Sequence, residues 1–139
     1  MLRRDAAGEE AGTGPLPGID GLPILVEQFR SAGADVSFTV EGDTAALPAT
    51  AGLAVYRIAQ EALTNAAKHA PGAPAAVRLT VGPAEVTLTA DSFGPPGTGA
   101  GLGVVSMRER AEAIGGTCEA GPGGHGWLVR ASLPVAGRP

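Results

Sequence analysis

The segment from residue 48 to residue 91 constrains the fold most strongly, because one long helical pattern directly precedes two short alternating runs. In residues 48–69, apolar side chains recur at spacings of three and four, which predicts an amphipathic helix. Residues 75–81 and 85–91 alternate apolar and polar side chains across a three-residue connection, which predicts a β-hairpin. A hairpin excludes a purely parallel sheet.

Further helices and strands are predicted on both sides of this segment. A helix is expected from Asp20, a candidate N-cap, to the stop signal at Gly33. The other predicted elements are a strand over 35–41, a helix over 104–114 and strands over 117–120 and 127–133. Because helices and strands interleave, we expect an α/β two-layer sandwich, with one mixed β-sheet covered on one face by about three helices.

The composition indicates one folded domain. The chain has 22 Gly and 12 Pro among 139 residues, but 44% of its residues are hydrophobic and only 17% are charged, unlike a disordered chain. We expect a flexible leader over 1–18, one domain over 19–135 and a tail over 136–139.

Charge and residue usage exclude several classes of partner. A net charge of −4 argues against nucleic acid, which needs a clustered basic face. One Cys and two His exclude an internal disulfide and a zinc site of soft ligands, as is typical of an intracellular protein. No run reaches the roughly 18 apolar residues of a membrane span, so no membrane contact is expected and the predicted location is cytoplasmic.

The long helix carries one polar face among apolar ones. Spacings of four and three place Glu61, Asn65 and Lys68 on that face. A carboxylate, an amide oxygen and an ammonium suit a hydrated Mg²⁺ together with phosphate groups. The alternative is a solvated helix face without a ligand.

A glycine-rich segment over 94–103 precedes the third predicted helix. Gly99, Gly101 and Gly103 would let the backbone approach a ligand, and the helix start offers unpaired amides to phosphate. The glycine spacing matches neither the dinucleotide fingerprint nor the Walker loop. The alternative is a flexible surface linker.

These motifs follow one another in a fixed order. The helix carries Glu61-x-x-x-Asn65-x-x-Lys68-His69, a strand ends near Asp91, and the glycine-rich loop leads into Gly101-Leu-Gly-Val-Val-Ser-Met-Arg-Glu-Arg-Ala111 and Ile114-Gly-Gly. Over roughly residues 20–134, this order resembles the ATP-binding catalytic domain of bacterial sensor histidine kinases. It looks most like the subfamily that signals to LuxR-type response regulators. The resemblance implies a Bergerat-type fold that binds ATP and Mg²⁺.

The resemblance also implies roles for individual residues. Asn65 would ligate Mg²⁺ and Glu61 would polarise the metal-water shell, which makes these two the candidate catalytic residues. Lys68 would contact phosphate oxygens and His69 would line the same side. The other implied cofactor-binding positions are Asp91, Ser92, Gly94, Gly99, Gly101, Leu102, Gly103 and Val104. Glu109 and Arg110 are predicted to form surface ion pairs instead.

Two positions depart from the family pattern. The family reads adenine with the carboxylate of an Asp-x-Gly motif, whereas a gapless alignment on Gly94 places Ser92 there. Asp91 lies one residue early and would face the other side of the strand, unless a bulge turns it inward. Trp127 falls where the family often has Thr, and is expected to be a packing residue at a strand start.

The predicted function is binding of Mg-ATP and supply of its γ-phosphoryl group to a histidine on a separate phosphoacceptor domain, and through it to a response regulator. Neither His69 nor His125 fits that acceptor, so the chain is interpreted as an excised catalytic domain, inactive alone, with residues 1–18 a remnant of the dimerisation segment. The parent would be cytoplasmic or a membrane-anchored kinase. Alternatives are a binding module with an impaired nucleotide site, an anti-sigma-factor-like serine kinase and a gyrase- or MutL-like ATPase.

Overall fold

The structure is a computed structural model that describes residues 18–93, 101–123 and 126–135. Three helices and five strands follow one another in these ranges, together with two 3-10 turns at Ile19–Gly21 and Thr44–Ala46. The helices are α1 (Leu22–Ser31), α2 (Ala49–His69) and α3 (Gly101–Glu112). The strands are β1 (Val36–Glu41), β2 (Ala75–Val81), β3 (Glu85–Ser92), β4 (Thr117–Gly123) and β5 (Gly126–Pro134).

The five strands form one mixed sheet in the order β1-β2-β3-β5-β4. The β1–β2 pair is parallel, and every other neighbouring pair is antiparallel. The predicted hairpin is present as β2 and β3, with Ala75 opposite Ser92 and Val81 opposite Val86. The predicted α/β sandwich with a mixed sheet and three helices is therefore confirmed.

The core lies between the helices and one face of the sheet. Alternate strand residues such as Val77, Leu79 and Leu88 are fully buried, because period-two geometry turns them all to the same face. From α2, Val55 and Ile58 pack onto this layer. No helix among the described residues is long and apolar enough to cross a membrane.

The start of α1 differs from the prediction. Asp20 is not the N-cap, because the helix begins at Leu22 and Asp20 lies in the preceding 3-10 turn. Gly21 closes that turn by donating its N–H to the Gly18 carbonyl at 2.9 Å. Pro23 lies in the first helical turn, where its missing N–H leaves no hydrogen bond unmade.

The third helix starts earlier than predicted. It begins at Gly101 instead of residue 104, so Gly101 and Gly103 lie in its first turn and not in a loop. Glycine destabilises a helix interior by about 1 kcal/mol relative to Ala, so the glycines led to a predicted start at residue 104. The first turn tolerates them because later residues such as Met107 are buried in the core. Residues 94–100 of the predicted glycine loop lie outside the described residues, as do 1–17 and 136–139.

The last two strands are longer than predicted, because pairing continues to Gly123 opposite Gly126. Two glycines connect α3 to β4. Gly115 has φ +86°, the left-handed conformation that favours glycine after a helix. A Cβ on Gly116 would lie 2.4 Å from the Ser132 carbonyl oxygen, so only glycine fits against β5. This part of the sequence motif is structural.

Candidate functional site

The polar face of α2 is directed towards α3. Glu61 and Asn65 are half-buried one turn apart, whereas Lys68 and His69 are exposed in the last turn of the helix. Cationic groups are favourable there because the C-terminal end of a helix carries partial negative charge. The structure thus brings Glu61 and Asn65 together in a partly buried site and leaves Lys68 at its open end.

The Glu61 carboxylate is held by two side chains of α3. Its Oε2 accepts a hydrogen bond from Ser106 Oγ at 2.9 Å and from Arg110 Nε at 3.1 Å. Ser106 and Arg110 are four residues apart and therefore lie on one face of α3. Arg110 does form the predicted ion pair, but its partner is the candidate catalytic carboxylate.

Two polar atoms on this face of α2 are buried without a hydrogen-bond partner among the described residues. They are Glu61 Oε1 and Asn65 Nδ2. A buried polar group left unpaired destabilises a protein by roughly 1–3 kcal/mol, so such atoms are rare in native folds and call for a partner such as an ordered water, an ion or a ligand. One of these atoms is an acceptor and the other is a donor, and their residues lie one helical turn apart on the polar face of α2.

The residues at this position fit a hydrated magnesium ion and phosphate groups. The Asn65 side chain supplies a neutral oxygen ligand, and its N–H donors suit phosphate oxygens. The second oxygen of Glu61, which is fixed through the first, can accept hydrogen bonds from metal-bound water. Mg²⁺ needs only one or two protein ligands because it keeps several waters. The arrangement therefore fits the group that the sequence implies.

The C-terminal end of β3 lies beside the C-terminal half of α2. Five residues join His69 to Ala75, and Ala75 pairs with Ser92 across the hairpin. The Phe93 N–H donates to the Pro74 carbonyl at 2.8 Å, which extends this pairing beyond the strand. Ser92 and the α2 site face are therefore at the same end of the sheet.

Ser92 and Asp91 face opposite sides of the sheet. Along β3, Val86, Leu88, Ala90 and Ser92 are buried on the helix-covered face, and Ser92 is only 9% exposed. The pairing with β2 and β5 runs without a bulge through both residues. Asp91 is half-buried on the other face. The described geometry thus follows the gapless alignment, with a hydroxyl at the inward position.

Trp127 lies directly opposite Ser92 in the β3–β5 pair. Residues paired in this way point to the same face, and the Trp127 ring packs against the core there, as expected for a packing residue near a strand start. The indole Nε1 is buried without a partner among the described residues. A buried indole N–H ordinarily finds an acceptor, so this donor is a feature that sequence analysis missed.

The remaining predicted cofactor-binding positions follow Ser92 in the sequence. Gly94 and Gly99 lie outside the described residues. Gly101, Leu102 and Gly103 form the first turn of α3, whose backbone N–H groups have no partner within the helix. Val104 is half-buried against the core. The start of α3 thus offers backbone donors, consistent with the predicted phosphate contact.

An apolar groove of about 250 Å³ lies on the opposite side of α2, between its C-terminal half and α1. Leu63, Ala66 and Ala67 line it from α2, and Phe29 lines it from α1. It contains neither Glu61 nor Asn65 and offers no charged side chain to a phosphate. The candidate site therefore rests on the polar face of α2.

Comparison of the fold gives the class of domain. The structure superposes on the blue-light activated histidine kinase of Erythrobacter litoralis EL346 with a TM-score of 0.64 and 20% identity, covering 86% of this chain and 42% of that chain. It also superposes on the catalytic domain of histidine kinase ThkA with a TM-score of 0.60 and 15% identity, covering 84% of this chain and 90% of that one. The fold is that of histidine kinase catalytic domains.

Sequence comparison adds homology. The chain is 35% identical over 101 residues to the sensor histidine kinase LnrJ of Bacillus subtilis, and 34% identical over 104 residues to YxjM of the same organism. These matches cover 70% and 72% of this chain, but only 25% and 26% of the relatives. No protein-family profile matches. The chain is thus homologous to part of the sensor histidine kinases LnrJ and YxjM, spans about a quarter of their length, and has the fold of histidine kinase catalytic domains.

Proposed function

We propose that this domain binds Mg-ATP and supplies the γ-phosphoryl group to a histidine on a separate phosphoacceptor domain. We further propose that the phosphoryl group passes to a response regulator of the LuxR type, and that the domain works in the cytoplasm. Support comes from the homology to two sensor histidine kinases and from the order of the sequence motifs.

One observation carries the nucleotide assignment. Glu61 Oε1 and Asn65 Nδ2 are buried one helical turn apart, and neither has a partner among the described residues. Among the described residues, a role without a ligand leaves both atoms unpaired, at a combined loss of several kcal/mol. A hydrated cation and phosphate oxygens would satisfy both.

Each residue then has a physical task. Asn65 and, through water, Glu61 would hold Mg²⁺, while Ser106 and Arg110 fix the Glu61 carboxylate. Lys68 is exposed at the end of α2, and its ammonium would contact phosphate oxygens. Bound Mg²⁺ would neutralise charge on the phosphates. Catalysis of this kind is mostly positioning and charge neutralisation, so the chain needs no nucleophile of its own.

Calorimetric titration with Mg-ATP tests the proposal. We expect saturable binding by the isolated domain and no turnover without a phosphoacceptor domain. Absence of binding heat at millimolar Mg-ATP would refute it.

A second candidate is a binding module whose nucleotide site is impaired. The observation in its favour is that Ser92, and no carboxylate, lies at the inward position of β3. A neutral hydroxyl binds an amine more weakly than a carboxylate does. The same titration separates the two candidates, because an impaired module would show no heat.

A further inference from the structure

The inward end of the β3–β5 pair presents hydrogen-bond donors where a carboxylate acceptor is expected. Ser92 and Trp127 are cross-strand partners on the helix-covered face. Ser92 is 9% exposed, and the indole Nε1 of Trp127 is buried without a partner among the described residues. An indole N–H is a donor only, whereas a hydroxyl both donates and accepts. The pair can therefore donate hydrogen bonds to the acceptor atoms of a ligand.

Asp91 does not supply the missing acceptor on this face. It faces the other side of the sheet, because β3 pairs with both neighbours without a bulge. A strand must shift by one residue to exchange the two faces, and such a shift would also expose Leu88 and Ala90. Within the described residues, the inward group at the end of β3 is thus the neutral hydroxyl.

The purine bases differ in the hydrogen-bond donors and acceptors that they present to Ser92 and Trp127. Adenine has a donor amine at C6 and an acceptor at N7, whereas guanine and hypoxanthine have an acceptor oxygen at C6 beside the same N7. A carboxylate accepts from the amine and repels the oxygen. A hydroxyl can accept from the amine or donate to the oxygen, and the Trp127 N–H can donate to any acceptor on either base.

From this geometry we propose that the purine base binds beside Ser92 and Trp127 and that this site does not discriminate against 6-keto purines, so that the domain binds ITP and GTP with Mg²⁺ about as tightly as ATP. This inference rests on the proposed nucleotide function and specifies its substrate class. Ser92 and Trp127 are its specificity-determining residues.

Competition between Mg-ATP and Mg-ITP on the domain tests the proposal. ITP is the sharper probe because it differs from ATP only at C6 and the adjacent N1, without the 2-amino group of guanine. We expect dissociation constants for ATP and ITP within about tenfold of each other, since a neutral adaptable group gives little discrimination. A preference for ATP of more than about tenfold in the unmodified domain would overturn the proposal.

Substitution of Ser92 identifies the residue responsible. Ser92→Asp should shift the ratio of the two dissociation constants towards ATP by about tenfold or more, because the new carboxylate accepts from the amine and repels the 6-keto oxygen. Thr89→Asp is the matched control. It adds the same charge on the opposite face of β3 and should leave the ratio unchanged. An unchanged ratio in Ser92→Asp would contradict the assignment.

The wild-type ratio decides the proposal even where a variant fails to fold. If neither nucleotide binds at millimolar concentration, the proposed nucleotide function itself fails. If ATP binds and ITP does not, only the inference about the base fails.

Discussion

The two oxygens of the Glu61 carboxylate have different surroundings. Its Oε2 is occupied by Ser106 and Arg110 of α3, and its Oε1 is buried and unpaired among the described residues. The two hydrogen bonds fix the rotation of the carboxylate, so the second oxygen has one direction. We interpret Arg110 and Ser106 as positioning residues for the proposed metal-binding face.

Arg110→Ala tests this interpretation. We expect the gain in nucleotide affinity from Mg²⁺ to fall by about threefold to tenfold, because only Ser106 then holds Oε2 and the carboxylate is less firmly oriented. The free energy of unfolding should change by less than about 1 kcal/mol, since the ion pair is half-exposed and screened. Nucleotide titrations with Mg²⁺ and with EDTA measure the first effect, and urea unfolding measures the second.

A double-mutant cycle provides the control. In a Glu61→Gln background, Arg110→Ala should have little further effect, and Arg110→Lys in the wild type should restore part of the loss. If Arg110→Ala lowers nucleotide affinity equally with EDTA and with Mg²⁺, a role of Arg110 through Glu61 is contradicted.

Only some of these residue-scale features could be predicted from the sequence. The alignment of Glu61, Asn65 and Lys68 follows from helical periodicity, so it was predictable. The contact between Arg110 and Glu61 joins residues 49 positions apart and depends on how α2 and α3 pack. Charge patterning therefore predicted an ion pair for Arg110 but could not identify its partner.

At the scale of elements, strand geometry was the most predictable feature. Period-two alternation places Ser92 and Asp91 on opposite faces, and the register of β3 agrees. The start of α3 was not predictable, because three glycines near its start conceal the helix and only tertiary packing decides the boundary. The unpaired indole N–H of Trp127 was also hidden, since it depends on the register between β3 and β5.

The connection from α3 to β4 depends on Gly116. Gly116→Ala should lower the free energy of unfolding by roughly 1–3 kcal/mol, because the new Cβ meets the Ser132 carbonyl oxygen and the Leu133 side chain. Urea unfolding followed by circular dichroism measures the change. Gly121→Ala is the control, since nothing lies within 4 Å of a Cβ there and its cost should stay below about 0.5 kcal/mol. Equal stability of the two variants would contradict the close packing assigned to Gly116.

Cys118 on β4 makes the free energy of unfolding depend on pH. Burial raises the pKa of the Cys118 thiol from 9.0 to about 11, because the thiolate is poorly solvated in the core. The unfolded chain therefore loses this proton at lower pH than the native state. The resulting stabilisation is complete below about pH 9 and is lost as the pH rises towards 11.

The comparison of wild type with Cys118→Ala isolates this effect from other titrating groups. The difference in unfolding free energy between them should shrink by roughly 1–2 kcal/mol between about pH 8.5 and pH 10.5, as followed by urea unfolding. A constant difference over this range would show that the thiol ionises equally in both states.

At the scale of the whole molecule, the mixed sheet brings distant parts of the chain to one end. The C-terminal half of α2 and the end of β3 meet there, and β5 contributes Trp127. The layer arrangement was predictable because the hairpin excluded a parallel sheet and the helices had apolar faces. The chain spans about a quarter of its curated relatives, and the phosphoacceptor domain is a proposal based on that homology.

The measurement that tests the account most directly is a calorimetric titration of Mg-ATP into the wild-type domain and into Asn65→Ala. We predict saturable binding by the wild type and an affinity at least about tenfold lower for the variant, because the amide oxygen that we propose as the Mg²⁺ ligand is lost. The circular dichroism spectrum should stay unchanged, since Asn65 Nδ2 has no partner among the described residues. Equal affinity of the folded variant and the wild type for Mg-ATP would contradict the assignment of the site.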